Sequence, residues 1–203
     1  MIYKKSWKYI LCKDKDNFFK YYYRLKAVKN FSNVSENENG GYVNNYNNLS
    51  QFGNCWIYDN ALVKDNAKVY GDAKVSGNAV ILGDAIVCGN ARIFGHATVR
   101  ENAKIFDNAR VKDRAVVYGN ILISENASIS EYSHVFGYAK ICGNARIYGH
   151  SSVGAFAEVS GNAKITGTAL VAGYAKVSGN VKLINSAEVY EDIELSGNNV
   201  IKR

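Results

Sequence analysis

The chain has 203 residues, 47% of them hydrophobic, which suffices for one domain with its own core. A formal net charge of +7 and a pI near 9.1 favour anionic partners. No apolar run reaches membrane-spanning length, and Met1 to Ile10, broken by Lys4, Lys5 and Lys8, has no signal-peptide core.

In chain order, residues 1–52 do not repeat. Tyr9-Ile10-Leu11-Cys12 reads as a strand, Lys13 to Asn17 as a polar turn, and aromatic Phe18 to Val28 as a second strand. The expectation is a β-hairpin. Asn37 to Gly41 reads as a further turn and Asn44 to Ser50 as a polar loop.

From Gly53 to Lys202 a six-residue period runs without an insertion. One position of the unit is Val, Ile or Leu in all 25 units from Ile57 onward. The position two before it is Ala, Ser or Cys in 21 of 25, with Ile121, Val181, Ile193 and Asn199 the exceptions. β-Branched residues suit strands. Residues two apart in a strand share a face, so the small and the aliphatic side chains both point inward. Gly-Asn or Gly-Asp then makes a corner. Three strand-and-corner units close an 18-residue coil, and the 25 units stack into about eight coils spaced about 4.8 Å apart. The expected fold class is all-β, with residues 1–52 as a hairpin and capping segment and residues 53–203 as the solenoid. A solenoid end exposes unpaired backbone and core side chains, so the hairpin is expected to cover it.

The four cysteines are Cys12, Cys55, Cys88 and Cys142. Cys88 and Cys142 fall three coils apart in one column, roughly 14 Å, too far for a disulfide. A reducing cytoplasm is the expected location.

With an 18-residue coil, outward residues form three columns. Leu62, Val80, Thr98, Val116, His134, Ser152, Leu170 and Glu188 make a largely apolar one, with Leu82, Tyr118 and Phe136 beside it. Either the amino-terminal segment packs there or a second subunit does. Leu62, Val80, Val116, Tyr118, Phe136 and Leu170 are the expected interface of a homo-oligomer, a dimer. The repeat runs to Arg203 without a covering helix, a second motive for pairing. Lys68, Ile86, Lys104, Leu122, Lys140, Glu158, Lys176 and Glu194 form a mixed, solvated column. The third column is Lys74, Arg92, Arg110, Ser128, Arg146, Lys164, Lys182 and Val200, cationic in six of its eight members and acidic in none. Adjacent like charges repel there by roughly 0.9 kcal/mol at the dielectric of water. Lys74, Arg92, Arg110, Arg146, Lys164 and Lys182 are therefore either a solubilising face or a polyanion-binding track.

The units resemble the left-handed parallel β-helix of hexapeptide-repeat proteins, as in Val69 followed by Ala73; the left hand is implied by that resemblance alone. Tyr23-Arg24-Leu25-Lys26-Ala27, Gly40-Gly41-Tyr42, Asn48-Leu49-Ser50 and Gly53-Asn54-Cys55-Trp56 further resemble the start of the YdcK-like hexapeptide-repeat proteins. That resemblance implies a bacterial or prophage origin and carries a transferase label but no established activity. Related acyltransferases use acyl-CoA and a histidine base between subunits, which makes His96, His134 and His150 the candidate catalytic residues. Those enzymes commonly extrude a loop from the coils, and this chain has none. A zinc site would need three converging histidines, and His96 is spaced too widely. No phosphate loop, nucleophile elbow or Cys-x-x-Cys pair occurs, so no cofactor or metal is expected. The reading favoured by the sequence is a non-catalytic scaffold whose basic face engages a nucleic acid or a nucleic-acid-binding protein. An inhibitor of a bacterial defence system is one form of it, and an acyltransferase is the alternative.

Overall fold

A computed structural model describes residues 7–13 and 21–203. The expected turn residues 14–17 and the opening of the Phe18–Val28 stretch, residues 18–20, lie outside them. The fold is all-β: a parallel β-solenoid whose coils stack 18 residues apart. Each six-residue unit contributes one short strand, usually two residues long. The apolar face continues an eleven-stranded sheet, the basic face a nine-stranded one, and the mixed face an eight-stranded one.

One backbone bond builds the stack. The N–H of residue i donates to the carbonyl of residue i+17, as in Trp56 to Ala73, Tyr58 to Val75 and Asn60 to Gly77. It recurs at up to three positions of a unit along the stack, which fixes the register. The aliphatic and small side chains fill the interior. From Ile57 to Leu183 every aliphatic position is buried, and Ala61 through Ala187 line the coils beside them. Ile121 and Val181 occupy small positions and are also fully buried. Nearer the carboxyl end, Ile193 and Val200 are exposed and Leu195 and Ile201 only partly covered.

The corners have one strict demand. Every sixth residue from Gly53 to Gly197 has a positive φ, and ten of these 25 positions are not glycine. At Gly143 a Cβ would meet Gly161 backbone atoms at 2.7 Å. Eight of the ten non-glycine corners are Asp or Glu, and six of these return a hydrogen bond. Asp59 accepts from Gly77 N–H at 2.8 Å and Glu125 from Gly143 N–H at 2.8 Å. Among the described residues the backbone offers that N–H no acceptor. A carboxylate therefore offsets left-handed strain with a charge-assisted bond to the coil above.

The amino-terminal segment covers one end. Strands β1 (Tyr9–Lys13) and β2 (Tyr23–Ala27) pair antiparallel, as expected for the hairpin. The stretch Asn37–Gly41, expected as a turn, instead runs into a third strand, β3 (Asn39–Val43), antiparallel to β2. The turn is confined to its start, where Asn37 takes a φ of 68°. β3 then pairs in parallel with Leu62–Val63, and Leu49 bridges Val69, so parallel stacking begins ahead of the repeat and the stack is about nine turns deep. The described strands of the segment thus extend the edge of the apolar sheet. Within the expected loop, Tyr46–Asn48 forms a 3-10 turn. Buried Asn48 donates to the carbonyls of Asp65 (3.0 Å) and Ala67 (2.9 Å) and accepts from Asn45 N–H (3.0 Å), replacing the strand that the first coil lacks. Trp56 is sealed under Tyr9 and Phe31, with ring centroids 6.1 and 5.3 Å away. Lys8 is buried beside it and donates to the Cys55 carbonyl (2.9 Å) and thiol (3.3 Å). Burial lowers the Lys8 pKa and raises that of Cys55.

Replacing Asn48 with Ala strands the buried Ala67 carbonyl and the half-buried Asp65 one. Urea unfolding is expected to show a loss of about 1–3 kcal/mol; an unchanged midpoint would mean that water replaces the amide at no cost.

Candidate functional site

The basic face is assembled by the stacking register alone. Lys74 pairs with Arg92, Arg92 with Arg110, Arg110 with Ser128, Ser128 with Arg146, Arg146 with Lys164, and Lys164 with Lys182. All six sequence-predicted cations thus share one strip. Their guanidinium and ammonium groups point outward because the neighbouring positions in each strand are committed to the core. Lys74 is tied to the cap, its Nζ donating to Asn33 Oδ1 at 2.8 Å. Trp56 of the first coil occupies the place one coil before it.

The strip is bare of counter-charge. Among the described residues, Arg92, Arg110, Arg146, Lys164 and Lys182 have no carboxylate within 4.0 Å. Acidic residues do stand at the flanking corners, but the corner geometry draws them away. Asp107 and Glu125 on one edge and Asp113 and Glu131 on the other accept backbone N–H groups of the next coil. Partial burial works against the charge on Asp113, yet the Glu131 N–H and the Lys112 ammonium outweigh it and hold its carboxyl below the usual range. The mixed face behaves differently: Lys140 pairs with Glu158 at 3.1 Å and Lys176 with Glu194 at 2.6 Å, each one coil apart.

An amide ladder borders the strip. Asn90, Asn108, Asn126, Asn144, Asn162, Asn180 and Asn198 stack at one corner, each Nδ2 donating to the next Oδ1 at 2.8–3.4 Å. Each amide spends one N–H on the ladder and keeps the other for solvent or a ligand. Reading every eighteenth residue would have found this column in the sequence. A groove of about 530 Å³ crosses the strip from the ladder to the opposite corner, lined by Arg110, Lys112, Ser128, Ser130, Arg146 and Lys164 among others.

The other candidate residues disperse. His96 and His150 occupy one corner column, with Arg114 and Tyr132 in the two coils between them. The His150 ring is stacked on Tyr132, with centroids 4.9 Å apart and planes 5° off parallel, and Arg114 covers the other side of Tyr132 at 5.8 Å. His134 stands on the apolar face, paired with Val116 and Ser152. Among the described residues no group of three His, Cys, Asp or Glu side chains could hold a metal ion. All four cysteines are free. On the apolar face, Leu62 is buried beside β3, whereas Val80, Val116 and Leu170 are half-buried. Tyr118 is sandwiched between the Arg100 guanidinium (4.7 Å) and the Phe136 ring (5.8 Å), and Phe136 covers Gly154 in the next coil. At the neighbouring corner Tyr138, Phe156 and Tyr174 stack at 5.0 and 4.9 Å. Both faces of Phe156 are occupied by its neighbours in this ladder. Among the described residues no helix is long and apolar enough to cross a membrane.

The chain matches no protein-family model and no curated protein at a significant level of similarity.

Uncompensated cations one strand apart should cost the fold stability at low ionic strength. The melting temperature is expected to rise with added sodium chloride. Lys164→Glu, facing Arg146 and Lys182, is expected to stabilise by about 0.2–1 kcal/mol at low salt. A wild-type protein indifferent to salt would show the strip to be already neutralised.

Proposed function

We propose that this protein is a non-catalytic binding scaffold that engages an extended polyanion through the basic face. The observation carrying this reading is the strip of cations whose nearby carboxylates are spent on backbone N–H groups. A face built only for solubility gains nothing from keeping its charges unpaired, since an exposed ion pair there would be neutral or mildly favourable. A polyanion supplies the missing charge and releases its own counterions. The strip lies on a sheet face that cannot enter a nucleic-acid groove deeply, so the cations reach phosphates and not base edges. Its spacing of about 4.8 Å differs from the roughly 3.4 Å rise per nucleotide in one duplex strand. A flexible single strand adapts to that mismatch better than a rigid duplex. An acidic protein groove that normally holds nucleic acid has the same adaptability. On the resemblance of the amino-terminal motifs to YdcK-like proteins, the biological form is a phage-encoded inhibitor of a bacterial defence system, acting in the cytoplasm.

The acyltransferase alternative has less support: the three histidines do not converge, and the six-residue period admits no extruded loop to enclose a thioester. Arg92, Arg110, Arg146 and Lys164 changed together to Glu should leave folding intact and abolish binding of a labelled single-stranded oligonucleotide. The wild-type salt slope is expected near −0.7 per neutralised phosphate. Unchanged affinity in the folded variant would remove the polyanion reading, and clear thermal stabilisation by acetyl-CoA would move the protein to the enzyme class.

The half-buried apolar column at Val80, Val116 and Leu170 is assigned in the same proposal to contact with a second copy. Light scattering is expected to give a dimer mass that Val116→Glu reduces to a monomer; a wild-type monomer at every concentration would refute it.

A further inference from the structure

We propose that the basic strip holds a defined phosphate seat at its one interruption, Ser128, so that binding is anchored at one point and not spread evenly along the solenoid. This deepens the polyanion reading and rests on it.

The strip is otherwise a run of long side chains. At Ser128 it drops to a hydroxymethyl group, with Arg110 about 4.8 Å to one side and Arg146 about 4.8 Å to the other. Ser130, two residues on, is small and buried at the adjoining corner, so the depression continues toward that edge. Asn126 and Asn144 of the amide ladder close the opposite edge, and Lys112 and Lys164 stand at the ends of the groove. Two guanidinium groups on long stems can fold inward over a serine, which they cannot do over another arginine. Their planar forks match the oxygens of a phosphate two at a time. The Ser128 hydroxyl and the spare ladder N–H groups are neutral donors for the remaining oxygens. One carboxylate lines the groove, that of Glu131, and its Oε2 is held by Gly149 N–H at 3.0 Å. Lys112 is engaged by Asp113 at 3.1 Å, which leaves Arg110 and Arg146 beside Ser128, with Lys164 one coil further on, as the principal charges. Geometry thus separates Ser128 from the rest of the strip: a second depression at Lys74 and Arg92 is lined by Tyr58, Asp59 and Phe94, with Lys74 already tied to Asn33, whereas at Ser128 two arginines flank a concavity with neutral hydrogen-bond donors in its floor.

The ligand class is a phosphate, either a terminal monoester or an internal diester of a strand. The test is Ser128→Leu, which fills the concavity without changing any charge. Leucine already occupies the equivalent outward position at Leu122 and Leu170, so the coil accommodates it. Binding is measured by fluorescence anisotropy with a short oligothymidylate labelled at its 3′ end, with and without a 5′-phosphate. Inorganic phosphate is tested separately by thermal shift. The expected result is a loss of about tenfold or more in oligonucleotide affinity for Ser128→Leu, together with loss of the phosphate-induced thermal shift. Preference for the 5′-phosphorylated strand assigns the seat to a terminal monoester, and equal affinity assigns it to an internal diester. If Ser128→Leu binds as the wild type does while the fourfold charge reversal does not, the seat is wrong and the polyanion reading stands. If the wild type ignores the oligonucleotide but keeps a phosphate shift that Ser128→Leu loses, the seat stands and the polyanion reading falls. If the wild type responds to neither probe, both are overturned.

Discussion

The hydrogen bond from residue i to residue i+17 is the constraint on which the rest of this molecule depends. It closes a coil at 18 residues and places each residue against the one 18 further on. Any side-chain type that recurs at that spacing becomes a column, whether or not the column is favourable. Asparagines gain from this, since an amide is both donor and acceptor and can hydrogen-bond to a copy of itself. Aromatic rings gain as well, as in Tyr138, Phe156 and Tyr174. Arginines and lysines do not, and a column of them is a standing cost. The basic face is thus a column that the stack itself does not stabilise.

The same closure explains the absence of counter-ions on that face. Each coil needs a left-handed residue at every corner, and glycine is the cheapest choice. At six of the eight corners where aspartate or glutamate stands instead, the carboxylate accepts a backbone N–H of the next coil. Asp107, Asp113, Glu125 and Glu131 all take that option. Backbone strain, carboxylate orientation and the electrostatics of the neighbouring face are therefore linked through a single position of the unit. On the mixed face the acids sit in the outward column itself, and there they pair with lysines.

The two ends of the solenoid are unlike. At the amino end, three antiparallel strands, a buried asparagine and a buried lysine satisfy backbone that stacking leaves open. Lys8 is held there by carbonyls and a thiol, with no carboxylate partner among the described residues. At the other end the interior residues Leu195 and Ile201 are only partly covered. Stability in such a stack is local, each coil depending mainly on its neighbours. The cap and the first coils are consequently expected to open last.

Periodicity alone determined the coil, its 18-residue closure, the inward Ala and Val or Ile positions, and the membership of all three outward columns. It could do so because every unit obeys the same rule without an insertion, so counting residues is equivalent to tracing the chain. The hairpin β1–β2 was legible from local patterning. β3 was not, because Asn39-Gly40-Gly41 has the composition of a turn. It becomes a strand only through pairing with β2 and Leu62–Val63, where Gly41 has no room for a side chain: a Cβ there would lie 2.5 Å from the Ala61 carbonyl oxygen. Where the corner carboxylates point was equally hidden, since sequence places Asp113 beside Lys112 but says nothing of the N–H above it. Ser128 illustrates the division most clearly. In the sequence it is only a missing cation in a column of cations. In three dimensions the stems of Arg110 and Arg146 rise on either side of it, and a gap in charge becomes a concavity. Depth depends on the relative heights of neighbouring side chains, and only the stacked coils set those.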